Sequence, residues 1–370
     1  MAEQEKKALQ EEEERAKANV TGSEAARAPP LEKSARIGSV TVANHDDGHT
    51  SGEEEQEEEQ ADVDDSEILE DLPDDAEEIE LIHSRLNSIS RLGLQRFGPH
   101  LRKLCLRQNY ISQLDPEVVQ TLVELEDLDL YDNKLKSIDD SFSALKKLSV
   151  LDLSFNLLRH VPEPIQYLPS LEKVFFVQNK ISQISGLDRI GQTLRSLELG
   201  GNRIRDIENL DNLVALEELW LGKNKIAKLE GLDGLKRLKI LSIQSNRITK
   251  LEGLEELESL EEFYISHNGI TRLEGLEKNT KLRTLDIGNN FVEKLENVSH
   301  LSSLEELWMN DNKVDTLDAL EPQLKHISTL ETIYLEGNPV QKKEGTAYRR
   351  KVILALPQVK QIDATYVKQL

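Results

Sequence analysis

Trp220 and Trp308, the two tryptophans of the chain, occupy one and the same place in a recurring apolar-x-apolar unit, and so do Phe175, Tyr264 and Tyr334. The place is the middle residue, as in Leu219-Trp220-Leu221 and Leu307-Trp308-Met309. Carboxylates fill it elsewhere: Asp129, Asp152, Glu198 and Asp286, with Cys105 and Ser242 as the remaining members and Asp132 and Glu306 close by. Large aromatics ringed by carboxylates suit protein recognition, because the rings anchor an interface while the acids select Lys and Arg on the partner. Stacking between strands is the competing role, and for Tyr264 it stands level with binding. Catalytic chemistry finds no comparable support. There is no phosphate-binding loop, dinucleotide glycine pattern, paired-cysteine zinc site or His-Glu-x-x-His, and Gly222-Lys223 lacks the upstream glycines. The eight histidines are scattered, and an open sheet excludes no water around a carboxylate that would act as acid or base. No enzyme activity, cofactor or metal is expected.

These residues must be positioned by a repeat. Between residues 104 and 340 the chain writes an apolar-x-apolar pair, two variable residues, an Asn and another apolar residue eleven times, with Asn at 109, 133, 156, 179, 202, 224, 246, 268, 290, 312 and 338. The steps are 22 to 24 residues until the last, which is 26, and a degenerate first copy carries Ser84 in place of Asn. A fixed period in this range is the signature of a leucine-rich-repeat solenoid, here a curved α/β horseshoe of about 12 turns of about 22 residues with a parallel inner β-sheet and a C-terminal helical cap. Leu216, Leu219, Leu221, Ile226, Leu229 and Leu232 illustrate the inward set. Each Asn, with donors and an acceptor on one amide, is expected to satisfy backbone groups of its own and the adjacent turn. So few residues per turn leave room only for short 3₁₀ or irregular segments on the outer side. Because side chains alternate along a strand, the middle residue faces the concave surface.

Charge divides the chain further. Residues 51–80 hold 17 Asp or Glu and no Lys or Arg, which is 17 of the 23 net negative charges. Residues 1–76 are therefore expected to be a disordered acidic tail, residues 77–340 the solenoid and residues 341–370 its cap. The acidic block suits a solubilising tail, with capture of a basic partner as the alternative. Residues 81–370 carry 42 acids against 39 bases, with no basic stripe for phosphate backbones. The polar first residues and the lack of an 18-residue apolar run point to no leader and no membrane span, hence a soluble intracellular protein. One cysteine, Cys105, makes no internal disulfide and fits a reducing compartment. After Asn338-Pro339, Tyr348, Val352, Leu354 and Leu356 read as an amphipathic helix halted at Pro357, then a short strand through Val359 and Ile362.

The strings Leu104-Cys105-Leu106-Arg107-Gln108-Asn109, Leu128-Asp129-Leu130-Tyr131-Asp132-Asn133 and Leu219-Trp220-Leu221-Gly222-Lys223-Asn224 resemble the leucine-rich-repeat regulatory subunits of protein phosphatase 1, the regulatory-subunit-7 family. So do Trp308-Met309-Asn310-Asp311-Asn312 and the segment from Tyr348-Arg349-Arg350 to Asp363-Ala364-Thr365. The likeness covers about residues 77–370. It implies that the concave face binds the phosphatase catalytic subunit through Asp152, Phe175, Glu198, Trp220, Asp286, Glu306, Trp308 and Tyr334. Trp220 departs from relatives that carry Phe. The resemblance further implies control of phosphatase activity or maturation, a further inhibitor subunit as a third member, a monomer when alone, and a nuclear and cytoplasmic distribution. Lys173-Val174-Phe175-Phe176 matches a short phosphatase-docking motif, but its Val and second Phe fall on core positions, which favours chance. An acidic histone or basic-protein chaperone and a splicing-type scaffold are the alternative readings; nucleic acid and membrane partners are not expected.

Overall fold

The computed structural model describes residues 65–368. Most of the acidic tail, residues 1–64, and the expectation of its disorder lie outside them. Among the described residues fourteen strands form one sheet in chain order. Twelve come from the repeats: β1 (Glu78–Glu80), β2 (Lys103–Cys105), β3 (Asp127–Asp129), β4 (Val150–Asp152), β5 (Lys173–Phe175) and β6 (Ser196–Glu198), then β7 (Glu218–Trp220), β8 (Ile240–Ser242), β9 (Glu262–Tyr264), β10 (Thr284–Asp286), β11 (Glu306–Trp308) and β12 (Thr332–Tyr334). All of these pair in parallel, β13 (Gln361–Ile362) extends the series in parallel, and β14 (Thr365–Tyr366) closes it antiparallel. Each repeat strand is three residues long, and its middle residue is buried in every one, from Ile79 through Leu219 to Ile333. Valine and phenylalanine replace leucine at Val174 and Phe263 without exposure. Val174 and Phe176 are both fully buried, so the two apolar anchors of the short docking-like motif belong to the core.

Repeat length decides what the outer side contains. The 22-residue turns between β6 and β11 return without any helix. Turns of 23 residues fit one 3₁₀ segment, as at Asp140–Ala144, Glu163–Tyr167 and Asp188–Ile190. Two of the longer ones accommodate α1 (Pro116–Val119), capped by the Asp115 carboxylate on the Glu117 N–H at 3.0 Å, and α2 (Leu320–Leu324), while the turn between β1 and β2 carries a 3₁₀ segment at Leu94–Phe97. A proline at the first helical position and an Asp N-cap are what start α1.

The asparagine ladder is continuous from Asn109 to Asn338. At Asn224, Oδ1 accepts the Ile204 N–H of the preceding turn at 3.0 Å, while Nδ2 donates to Leu199 O at 2.9 Å and Leu221 O at 3.1 Å. The same pattern recurs at Asn133 and Asn312. Among the described residues Ser84 makes only a contact to Ile82 O within its own turn, so the ladder starts one turn later. Directly before each Asn the chain turns through a left-handed residue: Gln108, Asp132, Phe155, Lys223, His267 and Asp311 among them, with Gly201 and Gly337 in the same register.

At the C-terminal end, α3 (Pro339–Glu344) and α4 (Tyr348–Ala355) place Val340, Tyr348 and Val352 in the core. The Asp363 carboxylate accepts the N–H groups of Leu335 at 2.8 Å and Glu336 at 3.0 Å, and the Tyr348 hydroxyl donates to it at 3.1 Å. At the other end the packed chain begins before the expected residue 77. A 3₁₀ turn spans Asp65–Glu67, Leu69 is only 3% exposed within the core, and the Arg96 guanidinium donates to the carbonyls of Leu69 and Leu72 and to Asp74. The physical reason is that Ile68, Leu69 and Leu72, set among acids, pack onto the core at the end of the solenoid, where no earlier repeat covers the first turn.

Candidate protein-binding face

Strand register turns the middle residues of the sequence pattern into a physical column. Asp152 pairs with Phe175, Phe175 with Glu198, Glu198 with Trp220, Trp220 with Ser242, Ser242 with Tyr264, Tyr264 with Asp286, Asp286 with Trp308 and Trp308 with Tyr334. Neighbours in such a column stand about 4.8 Å apart. Seven of the eight expected site residues thus lie in one row, and Glu306 lies in the parallel row formed by the first residue of each strand. Over β1 to β12 the two rows hold ten carboxylates, Glu78, Asp127, Glu218, Glu262 and Glu306 in one and Glu80, Asp129, Asp152, Glu198 and Asp286 in the other, against two lysines, Lys103 and Lys173. The face is acidic although the repeat region as a whole is nearly neutral.

Its C-terminal third carries an aromatic trio. The Trp308 ring meets Tyr334 edge-on with centroids 5.9 Å apart, and Tyr264 at 6.3 Å. The indole N–H of Trp308 donates to Glu306 Oε2 at 3.1 Å, the Tyr264 hydroxyl to Glu262 Oε2 at 2.7 Å, and Gln361 Nε2 to the Tyr334 hydroxyl at 2.7 Å. Each ring is therefore held by a side chain before any partner arrives, which lowers the ordering cost of binding. Tyr264 and Trp308 belong to strands two apart, roughly 10 Å, so their approach leans them over the intervening strand β10. There Asp286 is 7% exposed and accepts the Gly288 N–H at 3.0 Å; burial raises its carboxyl pKa, opposed by the Ser266 hydroxyl and that N–H. Asp152 accepts the Ser154 N–H in the same way at 2.8 Å, but of the two only Asp286 is buried. Tyr264 serves stacking.

Trp220 and Phe175 stand apart from this trio. Trp220 has Glu198 and Ser242 beside it along the row, and Gly222, two residues further along the chain, presents no side chain. Phe175 is flanked by Asp152 and Glu198. Burial raises the Glu198 pKa, and Asp152 and Glu218 push it the same way. A cation placed here would relieve that repulsion. Among the described residues no three His, Cys, Asp or Glu converge as a metal site. Burial also lifts the Cys105 thiol to about 11, leaving it un-ionised at neutral pH.

The repeat geometry agrees with the known proteins that the chain resembles. The family description "Leucine rich repeat" matches residues 99–158, and "Leucine Rich repeats (2 copies)" matches overlapping windows from 192–234 to 258–303. The chain folds as a leucine-rich-repeat solenoid. Solved solenoids superpose on it, among them the leucine-rich-repeat domain of APL1, with TM-score 0.63 and 25% identity over 74% of this chain and 71% of that one. The Leptospira interrogans protein LIC12759 gives TM-score 0.60 and 27% identity over 72% and 73%. Homologues of this chain include the protein phosphatase 1 regulatory subunit SDS22 of Saccharomyces cerevisiae, 49% identical over 26% of this chain and 28% of that protein. A protein phosphatase 1 regulatory inhibitor subunit of Arabidopsis thaliana is 37% identical over 40% and 45%, and human protein phosphatase 1 regulatory subunit 7 is 61% identical over 12% of each chain. The matched stretches of the solenoid span less than half the length of these relatives.

Sequence reasoning passed over one cluster, at the N-terminal end of the face. Tyr131 and Phe155 pack with centroids 4.8 Å apart, and the Arg107 guanidinium lies 4.2 Å above Tyr131 while pairing with Asp129 at 3.2 Å. These side chains sit three (Arg107, Tyr131) and four (Phe155) residues beyond the core residue of their strands, outside the row of middle residues. Reading the next two positions of each repeat would have found them, because other repeats hold Gly200, Gly222 or Gly288 there.

Asp129 gives this end of the solenoid a pH signature. Burial first, then Asp152 and Asp127, raise its pKa to about 6, against the Tyr131 N–H and Arg107, which lower it. The folded chain thus holds this proton more tightly than the unfolded chain, whose Asp titrates near about 3.9. The associated stability is fully present below that value and is lost as pH rises to about 6. After allowance for partial solvent screening the loss is about 1–2 kcal/mol. In urea titrations Asp129→Asn is expected to lack this decline between acid and neutral pH; an identical decline in parent and variant would refute the assignment.

Proposed function

We propose that this chain is a non-catalytic regulatory subunit that holds a protein phosphatase 1 catalytic subunit on the outward face of its sheet and controls that enzyme's activity or maturation. The observation that carries the reading is the in-register row of aromatics set among ten carboxylates and two lysines. Homologues named as protein phosphatase 1 regulatory subunits supply the identity of the partner. A row of this length, on the order of 40–50 Å, matches the width of a globular domain. That is enough to bury a standard interface of about 1,600 Å². The partner patch would carry Lys and Arg opposite Asp152, Glu198 and Glu306, with apolar pockets for Trp220 and Trp308. Alone the subunit would be a monomer, a further inhibitor subunit would join the complex, and the assembly would act in nucleus and cytoplasm.

The test is calorimetric titration of the full chain with purified protein phosphatase 1 catalytic subunit, read together with phosphatase turnover and metal content. A complex tighter than about 1 μM with altered turnover is expected. No heat and unchanged turnover would reject the proposal. Removing residues 1–64, and no more because Leu69 belongs to the core, is expected to leave this binding in place. Loss with the tail would favour a chaperone for basic proteins.

A further inference from the structure

The Tyr131–Phe155 cluster presents apolar surface that the fold does not require. Phe155 is 41% exposed, and it adopts a left-handed backbone conformation, φ 55, that is unfavourable for a bulky residue. At the same register other repeats use Gln108, Gly201 or Ser245, so a polar residue or glycine turns the chain equally well. Its ring stabilises no core, and its only ring contact among the described residues is Tyr131. An exposed aromatic held at a backbone cost points to use at the surface.

The chain itself displays what these rings and acids accept. Arg107 stacks on Tyr131 and pairs with Asp129, a guanidinium over a ring with a carboxylate at its edge. One turn further along, the same elements recur without the arginine: the exposed Phe155 ring, with Asp132 and Asp152 making no ion pair among the described residues. Ser154, in the place equivalent to Arg107 and Tyr131, uses its hydroxyl to accept the Val177 N–H. The acids nearby repel one another, since Asp152 raises the pKa of Asp127, Asp129 and Glu198. A second cation would complete the pattern.

We propose that Phe155 and Tyr131, with Asp132 and Asp152, form a docking site for an arginine-bearing basic segment of a protein partner. Arginine fits better than lysine, because its planar guanidinium stacks on a ring while its fork binds a carboxylate. The site lies on β3 and β4 and the turns after them, roughly 25 Å along the sheet from the start of the aromatic trio at β9. It stands on observations independent of the phosphatase reading. It provides a contact for an extended segment, whichever protein carries that segment.

The probe is fluorescein-labelled octa-arginine, with octa-lysine in parallel, titrated by anisotropy into the full chain at near-physiological salt. Phe155→Ala is expected to weaken octa-arginine about fivefold or more, through loss of a cation–π contact, and octa-lysine by less than about twofold, since point charges are read by the acids. Phe155→Trp is expected to retain or improve arginine binding. Its thermal midpoint should match the parent, and that of the alanine variant, which loses only the Tyr131 contact, should lie within about 5 °C of it. Equal octa-arginine affinity in the parent and Phe155→Ala would overturn the proposal and place the peptide on residues 51–80. Equal losses for both peptides would overturn the preference for arginine. No phosphatase is present, so this outcome and that of the phosphatase titration are read separately.

Discussion

Glu306→Ala combined with Trp308→Ala is expected to abolish measurable association with the protein phosphatase 1 catalytic subunit, a loss of about a thousandfold or about 4 kcal/mol. The magnitude follows from geometry. Trp308 is the centre of the trio, in edge contact with Tyr264 on one side and Tyr334 on the other, and its indole N–H is held by Glu306. Truncating it removes the largest anchor and releases both neighbours, so the interface loses area and preorganisation together. The cost to the fold is smaller. Leu307 and Met309, which flank Trp308, keep the strand in the core, and two aromatic edge contacts are worth about 1–3 kcal/mol together. Glu306→Gln separates two roles, since an amide oxygen still accepts the indole N–H but carries no charge. An intermediate loss that shrinks at high salt would assign the charge to the partner's cations. Affinity within threefold of the parent for the double variant, with the chain folded, would falsify the proposed face.

What could be read from residues alone was whatever repeats with fixed chemistry. Leucine at the strand centre and asparagine five residues on have one physical job each, so Leu219 and Asn224 in one turn announce Leu241 and Asn246 in the next, and the sheet register follows. The outward row was legible for the same reason, because alternation along a strand fixes where Trp220 must point once Leu219 is buried. The left-handed residue before each asparagine was not. Gln108, Asp132, Phe155, Lys223 and His267 share no propensity for that conformation. It is imposed by hydrogen bonds on either side: the Lys223 N–H to Gln244 O at 2.8 Å, and the Asn224 amide to its own turn and the preceding one. Tertiary pairing overrides local preference there. Asp286 shows a second limit. Alternation places it outward, yet two rings on neighbouring strands lean over it, and no pattern within one repeat encodes that. Leu69 shows a third, since an apolar pair embedded in acids reads as tail until its contacts are known.

Asn224→Ala is expected to cost about 3 kcal/mol and to split unfolding into two steps. The tally of partners shows which loss matters. The carbonyls of Leu199 and Leu221 each accept from a second ladder amide, Asn202 at 3.0 Å and Asn246 at 3.0 Å, so both keep a partner. Ile204 N–H is bonded only to Asn224 Oδ1 among the described residues, and the variant orphans it in a buried place at about 1–3 kcal/mol. The lost amide packing adds the remainder. Since stability in a solenoid is a sum over neighbouring turns, a break between the sixth and seventh strands weakens the coupling of the two halves. Trp220 and Trp308, one beside the break and one far from it, make the split visible as two urea transitions in fluorescence. Asn224→Asp sharpens the argument. Its carboxylate still accepts the Ile204 N–H but sets negative charge against the carbonyl oxygens of Leu199 and Leu221, so the folded state favours the protonated acid. Its pKa is then raised on folding, and stability present below the ordinary Asp range is lost as pH rises through the folded value. At neutral pH Asn224→Asp is therefore expected to be less stable than Asn224→Ala, and near pH ~4 the order narrows or reverses. A cost below about 1 kcal/mol for Asn224→Ala, or an Asp variant indifferent to pH, would mean that the ladder amide is ornamental and that leucine stacking alone holds the turns together.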